Sequence, residues 1–391
     1  MKVLYLISDL VKGGASDALE DLANNLNSEI VDFKFDIFAK VNSRDIFCHT
    51  GDAEDLIILL ENVSYDIIHY FKTSDQYYFD GIIDKIQKKK EEIIVPRIII
   101  THCQLPSTFS LRLTPKEIQY ASVVVFICKT AYDHKFHALI ERKSMIYFGV
   151  PSSEIDPKKD YNSGQDKIVF VRGSDLNKCP TNFLHLYKKI KSERGNFIIA
   201  GRGERARKRF SKIAAKLGIS EEIQFVGHLQ RREWYNVLSE SDIYLYQLPL
   251  NAYSAIDGTI QQAMLTGIPV VYLGPPAPAE LLLHNESGYI AKNEKQFISF
   301  AKQLVDDEVL RKKIGKNGRL RILEHFSHQS TVENYNKLYS NILEINNFPK
   351  KVPLILTIEY YLAQVIYRFR MLMLRIYNFI IYRFKSLPSY L

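Results

Sequence analysis

The side chains best suited to chemistry in this 391-residue sequence are cations, glycines and histidines placed just after apolar runs. In "IVFVRGSDLNK", Arg172 opens a loop and Lys178 lies near its end. Guanidinium and ammonium groups beyond a parallel strand suit a diphosphate, whose oxygens take strong charge-assisted hydrogen bonds. Taken alone, the pair reads as solvated surface charge. In "FIIAGRGERAR", Gly201 and Gly203 directly follow a strand and permit close backbone approach, although a lone G-x-G is more often a turn than a phosphate cradle. "AIDGTIQQAM" opens a helix at Gly258, where free N–H groups and the helix dipole favour an anion. Thr259 and Gln262 also have the spacing of a capping box, so Gln262 equally closes the helix end. In the first half, Gly13 and Gly14 separate the first strand from the first helix, His102 ends "RIIITH", and His69 lies in "DIIHYF". A lone histidine is more often a hydrogen-bonded structural residue; at a strand end facing a cleft, His102 reads equally as functional or structural, and His69 leans to structural.

These residues need parallel strands to position them. Apolar runs rich in Val and Ile alternate with longer amphipathic segments, the pattern of βα units on a buried sheet. The first set of strands is "KVLYLIS", "DIIHYF", "RIIITH", "SVVVFIC" and "SMIYFGV". "PSSEIDPKKDYNSGQD" (151–166) is rich in Pro, Ser and charge and reads as a linker. A second set follows in "KIVFVRG", "NFIIAGRG", "IQFVGHL", "DIYLYQL" and "IPVVYLG". The expected organisation is an α/β domain over 1–150, the linker, a second α/β domain over 167–328, a helix within 329–349 and a tail over 350–391. Ligands are expected at the carboxyl ends of the strands, in the cleft between the domains.

Hydrophobic residues at 46% and charged residues at 25% are those of a globular protein. Four scattered cysteines, without a metal-ligand pairing, fit a reducing compartment. The start, "MKVLYLISDLVKGG", turns polar too soon for a signal peptide and reads as a strand. A cytoplasmic location is the expectation.

The net charge of +8 is concentrated in the tail, where seven Lys and Arg face the single acid Glu359, leaving +2 on residues 1–349. Residues 354–385 read as a helix with a narrow polar stripe and otherwise Leu, Ile, Phe, Tyr and Met. Charges interrupt it well before the ~20 apolar residues a spanning helix needs. It reads as an interfacial helix on an anionic membrane surface, or as a helix packed on the first domain or a second subunit. Basic charge placed in an apolar helix excludes nucleic acid as the partner.

In order and spacing, the sequence resembles the GT-B glycosyltransferases, and most closely the retaining glycosyltransferase family 4. The segments that carry the resemblance are "KVLYLISDLVKGGASDALEDLA", "IVFVRGSDLNK", "FIIAGRGERARKRFSKIAAKLGISEEIQFVGHL", "SDIYLY" and "QQAMLTGIPVV…GPPAPAELL…NESGYIA". It covers residues 1 to about 345 and implies the GT-B fold, two doubly wound Rossmann-like domains facing a cleft.

The resemblance also implies roles. Gly13 and Gly14 form the loop near the donor phosphates, and Lys178 is the diphosphate-binding lysine. The family's arginine falls on Gly173, with Arg172 adjacent and serving instead. His102 is the histidine near the transferred sugar, and Glu280 sits in the loop matching the Gly-Gly-x-Pro-Glu segment. The family's paired acids fall on Ser254 and Gln262; Gln262 retains hydrogen bonding to a ribose, and Asp257 offers an acid three residues after Ser254.

The implied activity is transfer of a sugar from a nucleotide-diphosphate donor with retention of configuration. No metal or cofactor is expected, since Lys178, Arg172 and the helix opening at Gly258 meet the leaving diphosphate's charge. The tail favours a glycan or lipid-linked acceptor at a membrane, as in polysaccharide biosynthesis. Two rivals stand beside this reading: a catalytically silent GT-B subunit that binds a partner glycosyltransferase or glycan, and a GT-B sugar-nucleotide epimerase. Oligomeric state, homo- or hetero-, stays open.

Overall fold

The structure, a computed structural model, describes residues 1–10, 14–29, 33–43, 46–73, 78–102, 113–134, 137–158, 168–173, 176–190, 195–250, 252, 254–344 and positions 352, 354, 355, 357, 358, 360–362, 365, 369, 372 and 373. The chain opens with strand β1 (Lys2–Leu10), helix α1 (Gly14–Glu29), β2 (Lys34–Asn42), β3 (His49–Thr50) and α2 (Ala53–Asn62). Next come β4 (Ile67–Lys72), α3 (Tyr78–Lys88), β5 (Arg97–His102), α4 (Pro115–Tyr120), β6 (Val123–Phe126), α5 (Lys129–Tyr132) and β7 (Lys143–Met145).

The second half begins with β8 (Val169–Arg172), α6 (Phe183–Ile190), β9 (Asn196–Ala200), α7 (Glu204–Leu217) and β10 (Ile223–Gly227). It continues through α8 (Arg231–Ser239), β11 (Ile243–Gln247), α9 (Gly258–Thr266), β12 (Val270–Leu273), α10 (Pro276–Ala279) and β13 (Tyr289–Ala291). Three helices close it: α11 (Glu294–Asp306), α12 (Glu308–His325) and α13 (His328–Leu343).

Among the described residues the strands form two parallel sheets, ordered β3-β2-β1-β4-β5-β6-β7 and β10-β9-β8-β11-β12-β13. Alternation along each strand feeds two cores. In β1, Leu4 and Leu6 pack toward α2 and α3, whereas Val3, Tyr5 and Ile7 pack toward α1 and α13. In the second sheet, Phe170 and Leu245 face α6 and α11, and Val171, Tyr244 and Tyr246 face α8 and α9. Burial on both faces is why these strands read as continuous apolar runs.

The chain crosses between domains at residues 147–150. There Gln261 on α9 donates to the Phe148 carbonyl at 2.8 Å and accepts from the Val150 N–H at 3.1 Å. Thr331 on α13 accepts from the Gly149 N–H at 2.9 Å and donates to the Tyr147 carbonyl at 2.8 Å. A Cβ on Gly149 would lie 2.4 Å from backbone atoms of Ser327 and His328, so only glycine lets the outgoing and returning segments cross.

α13 then lies in the first domain's core, with Val332, Tyr335, Tyr339 and Ile342 buried. It is fastened to His69, which is fully buried: Nδ1 lies 2.5 Å from the Tyr339 hydroxyl and Nε2 2.7 Å from Thr101 Oγ1, itself 2.9 Å from the Tyr335 hydroxyl. His69 is therefore mid-strand and structural.

Strand "SMIYFGV" is shorter than expected, since pairing with β6 ends at Met145 and the rest is the interdomain crossing. Of the expected linker, 151–158 are described. The expected tail helix falls largely outside the described residues. Those positions described from 354 to 373 are helical, and no helix of the described residues is long and apolar enough to cross a membrane.

Candidate functional site

The carboxyl ends of β8 and β9 are locked together. The Leu176 N–H donates to the Arg202 carbonyl at 2.9 Å, and on the other side the Gly201 N–H donates to the Gly227 carbonyl of β10 at 2.6 Å. Gly201 and Gly203 have φ of 131° and 120°, values that side chains rarely adopt, and a Cβ on Gly203 would press on Leu176 and Asn177. The glycines thus shape a turn that clamps the β8 loop. The outcome places two exposed cations on neighbouring loops, Lys178 in a short 3₁₀ turn (Leu176–Lys178) and Arg202 between the glycines. Arg202 was legible only as a residue inside the G-x-G.

Arg172 departs from the expectation of a loop cation. It is the last residue of β8, shares the face of Phe170 and is fully buried. Its guanidinium lies 5.7 Å from the Phe183 ring and 5.2 Å from the Tyr246 ring, and Nη1 donates to the Gly173 carbonyl at 3.1 Å. Nε and Nη2 have no hydrogen-bond partner among the described residues. At the end of β8 it packs between rings of both cores rather than standing free in the loop.

The α9 end is also different from the sequence expectation. Asp257, not Thr259, is the N-cap; its Oδ1 accepts from the Thr259 N–H at 2.9 Å and from the Thr259 hydroxyl at 2.7 Å. Its other oxygen accepts from the Tyr246 hydroxyl. A carboxylate therefore already compensates the helix dipole at Gly258, where an anion was expected, and both oxygens of Asp257, the acid three residues after Ser254, are engaged in this cap. Ser254 is 8% exposed and its hydroxyl donates to the Ala255 carbonyl at 3.1 Å.

A chain of donors ties this cap to β8: the Gly173 N–H donates to the Tyr244 hydroxyl at 3.3 Å, which donates to Thr259 Oγ1 at 2.7 Å. Tyr244, Tyr246 and Tyr272 stack on one sheet face at 5.8 and 6.1 Å. The period-2 tyrosines of "DIYLYQL" were the available signal for this ladder.

Gln262 does not close a capping box. Its Oε1 accepts from the Trp234 indole N–H at 2.8 Å. The same indole fills the space beside Gly173, where a Cβ would lie 2.8 Å from its Cζ2 and Cη2. The two positions are thus physically linked through one side chain.

In the first domain His102 ends β5 and is 1% exposed. Its ring lies 5.7 Å from Phe126 and 5.5 Å from His137. His137 Nδ1 donates to the Ala131 carbonyl at 2.6 Å; burial, and next the neighbouring His102, push its pKa down to about 3. Beside His102 in the sheet, Lys72 makes a buried 2.6 Å ion pair with Glu117. Gly14 opens α1, and Gly13 lies outside the described residues.

Besides the crossing segment and α13, side-chain contacts of Asp21 and Glu280 link the domains among the described residues. Asp21 on α1 meets Arg231 on α8 through two 3.2 Å hydrogen bonds. Glu280, expected at the donor, instead accepts from the Lys129 and Thr130 N–H groups at 2.8 and 2.6 Å, from the Thr130 hydroxyl and from the Tyr147 hydroxyl at 3.1 Å. It caps α5 from the opposite domain. Among the described residues no group of three His, Cys, Asp or Glu side chains is placed to hold a metal ion.

Residues 151–321 match the family model of glycosyl transferases group 1. N-acetyl-alpha-D-glucosaminyl L-malate synthase of Bacillus anthracis is 21% identical over 203 residues, which is 51% of this chain and about half, 51%, of that relative's length. Among solved structures, Anabaena Alr3699/HepE in complex with UDP and glucose superposes with a TM-score of 0.72 at 15% identity, covering 87% of this chain and all of that one (100%). Sucrose-phosphate synthase from Thermosynechococcus elongatus gives 0.70 at 13% identity, over 88% and 100%. The chain has the GT-B fold of these structures, and the match to the glycosyl transferases group 1 model lies in its second half.

Proposed function

We propose that this chain is a retaining glycosyltransferase that takes a sugar from a nucleotide-diphosphate donor, a uridine diphosphate sugar first among the candidates. The observation that carries the reading is the clamp that sets Lys178 and Arg202 on adjoining loops beyond β8 and β9, within the segment that matches the family. Two cations there neutralise charge as the diphosphate leaves, and the reaction needs no metal for that purpose. Gln262 offers its amide group to the ribose while Trp234 fixes its orientation. His102 positions the transferred sugar or the acceptor at the end of β5.

The acceptor is a glycan or lipid-linked glycan at the cytoplasmic membrane face. Supporting this, Leu354, Ile355, Ile358, Tyr361, Leu362, Val365 and Phe369 are each more than half exposed. At ~100° per residue they share one helix face, and the sequence around them is basic. An apolar helix face of this kind suits a headgroup boundary.

A catalytically silent GT-B subunit is the second reading, favoured by the burial of Arg172 and by the carboxylate cap at α9. Thermal-shift titration of the full chain with UDP, GDP, ADP and CDP separates the two. Stabilisation by one nucleotide family, lost in Lys178→Ala, is the expected result. A folded chain that responds to none of them at millimolar ligand supports the silent subunit.

A further inference from the structure

Helix α7 carries a row of cations that the donor site does not use. Its 14 residues hold Arg205, Arg207, Lys208, Arg209, Lys212 and Lys216 against one acid, Glu204. Ala206, Phe210 and Ala214 are its buried positions. At ~100° per residue, Arg205, Lys208, Arg209, Lys212 and Lys216 fall within an arc of ~100° opposite those three, and all five are exposed.

Exposed lysines and arginines are ordinarily interleaved with acids. Here Glu204 is engaged by Arg207 through two 2.7 Å hydrogen bonds and comes no nearer to Lys208 than 3.8 Å. Arg205, Arg209, Lys212 and Lys216 have no ion-pair partner among the described residues. Residues 1–349 carry a net charge of only +2, so the near-neutral total conceals a strongly cationic stripe.

We propose that the exposed face of α7 docks the chain on an anionic lipid surface. The stripe is convex and about 21 Å long. Its five outward side chains are Lys and Arg, with no aromatic ring among them to stack a base or a sugar. Long flexible cations on a straight helix fit a broad anionic surface, to which each contributes about fivefold in partitioning. The helix begins directly after Gly203, its N-cap residue. Docking along it therefore brings the Lys178 and Arg202 loops toward the surface that would present a lipid-linked acceptor. The docking itself rests on the charge of α7 and goes beyond the donor-site reading.

The test is co-sedimentation of the full chain with phosphatidylcholine vesicles, with and without phosphatidylglycerol. Combining Arg205→Glu, Arg209→Glu and Lys212→Glu is expected to lower partitioning onto the anionic vesicles by about 100-fold or more. Partitioning onto phosphatidylcholine alone and the UDP-induced thermal shift stay unchanged. If that variant does not fold, Lys208→Gln with Lys216→Gln supplies the test, with about 25-fold expected; Lys212→Arg retains full binding. Equal partitioning of a folded variant and the parent overturns the proposal and leaves the donor-site reading intact. Binding to heparin or RNA without binding to anionic vesicles overturns it as well, in favour of a soluble polyanion.

Discussion

At the scale of single residues, Trp234 accounts for the least familiar part of the site. Its benzo edge occupies the space that any side chain at Gly173 would enter, and its N–H holds Gln262. Both positions depart from the arginine and glutamate of the family that the sequence resembles, and one indole explains both. Gly173→Ala is expected to destabilise the chain by about 1–3 kcal/mol through overpacking. Trp234→Phe deletes the two ring atoms in the way, so the double variant loses much less than the sum of the single changes. Urea unfolding of the four proteins measures this directly, and strict additivity would refute the link. Trp234→Phe also frees the Gln262 carbonyl, and the UDP dissociation constant should rise several-fold.

At the scale of elements, α5 and α10 form a clasp across the domain boundary. A four-residue helix such as α5 has little stability of its own, because nucleation fixes several residues for few hydrogen bonds. Its exposed N–H groups are satisfied by a carboxylate from the other domain, and the Tyr147 hydroxyl adds a contact from the crossing segment. Glu280→Ala is expected to cost about 1–3 kcal/mol and to increase the radius of gyration measured by small-angle X-ray scattering. An unchanged unfolding midpoint and radius would show that the clasp contributes nothing to closure.

For the whole molecule, the returning helix α13 makes one unit of the two halves, and its fastening is pH-sensitive. Burial lowers the pKa of His69 from 6.5 to about 3. Between those values the unfolded chain binds a proton that the folded chain excludes. The contribution is complete above pH 6.5 and declines as the pH falls, by up to tenfold in the folding equilibrium per unit. His69→Gln keeps hydrogen-bonding groups and does not titrate. It should be less stable than the parent at pH 7.5, with the difference shrinking toward pH 5. A constant difference across that range would remove His69 from the pH dependence.

What the sequence determined by itself follows from local and periodic physics. Two sets of apolar runs separated by amphipathic segments fix two buried parallel sheets. Strand β2 escaped because Lys34, Asp36 and Lys40 interrupt its apolar pattern, and β3 because two residues carry no period.

Loop identities, such as Gly201, Gly203 and Lys178, were also visible, since glycine and charge after a strand carry their own meaning. The directions of side chains were not. Whether Arg172 enters the cleft or the core depends on Phe183 and Tyr246, which close over its guanidinium from α6 and β11. Whether Gln262 caps its helix or meets Trp234 depends on α8, 28 residues away in sequence. Asp257, Glu280 and His69 likewise found partners 11, 150 and 270 positions distant. A polar group must be satisfied once it is buried, and only the tertiary structure decides by whom.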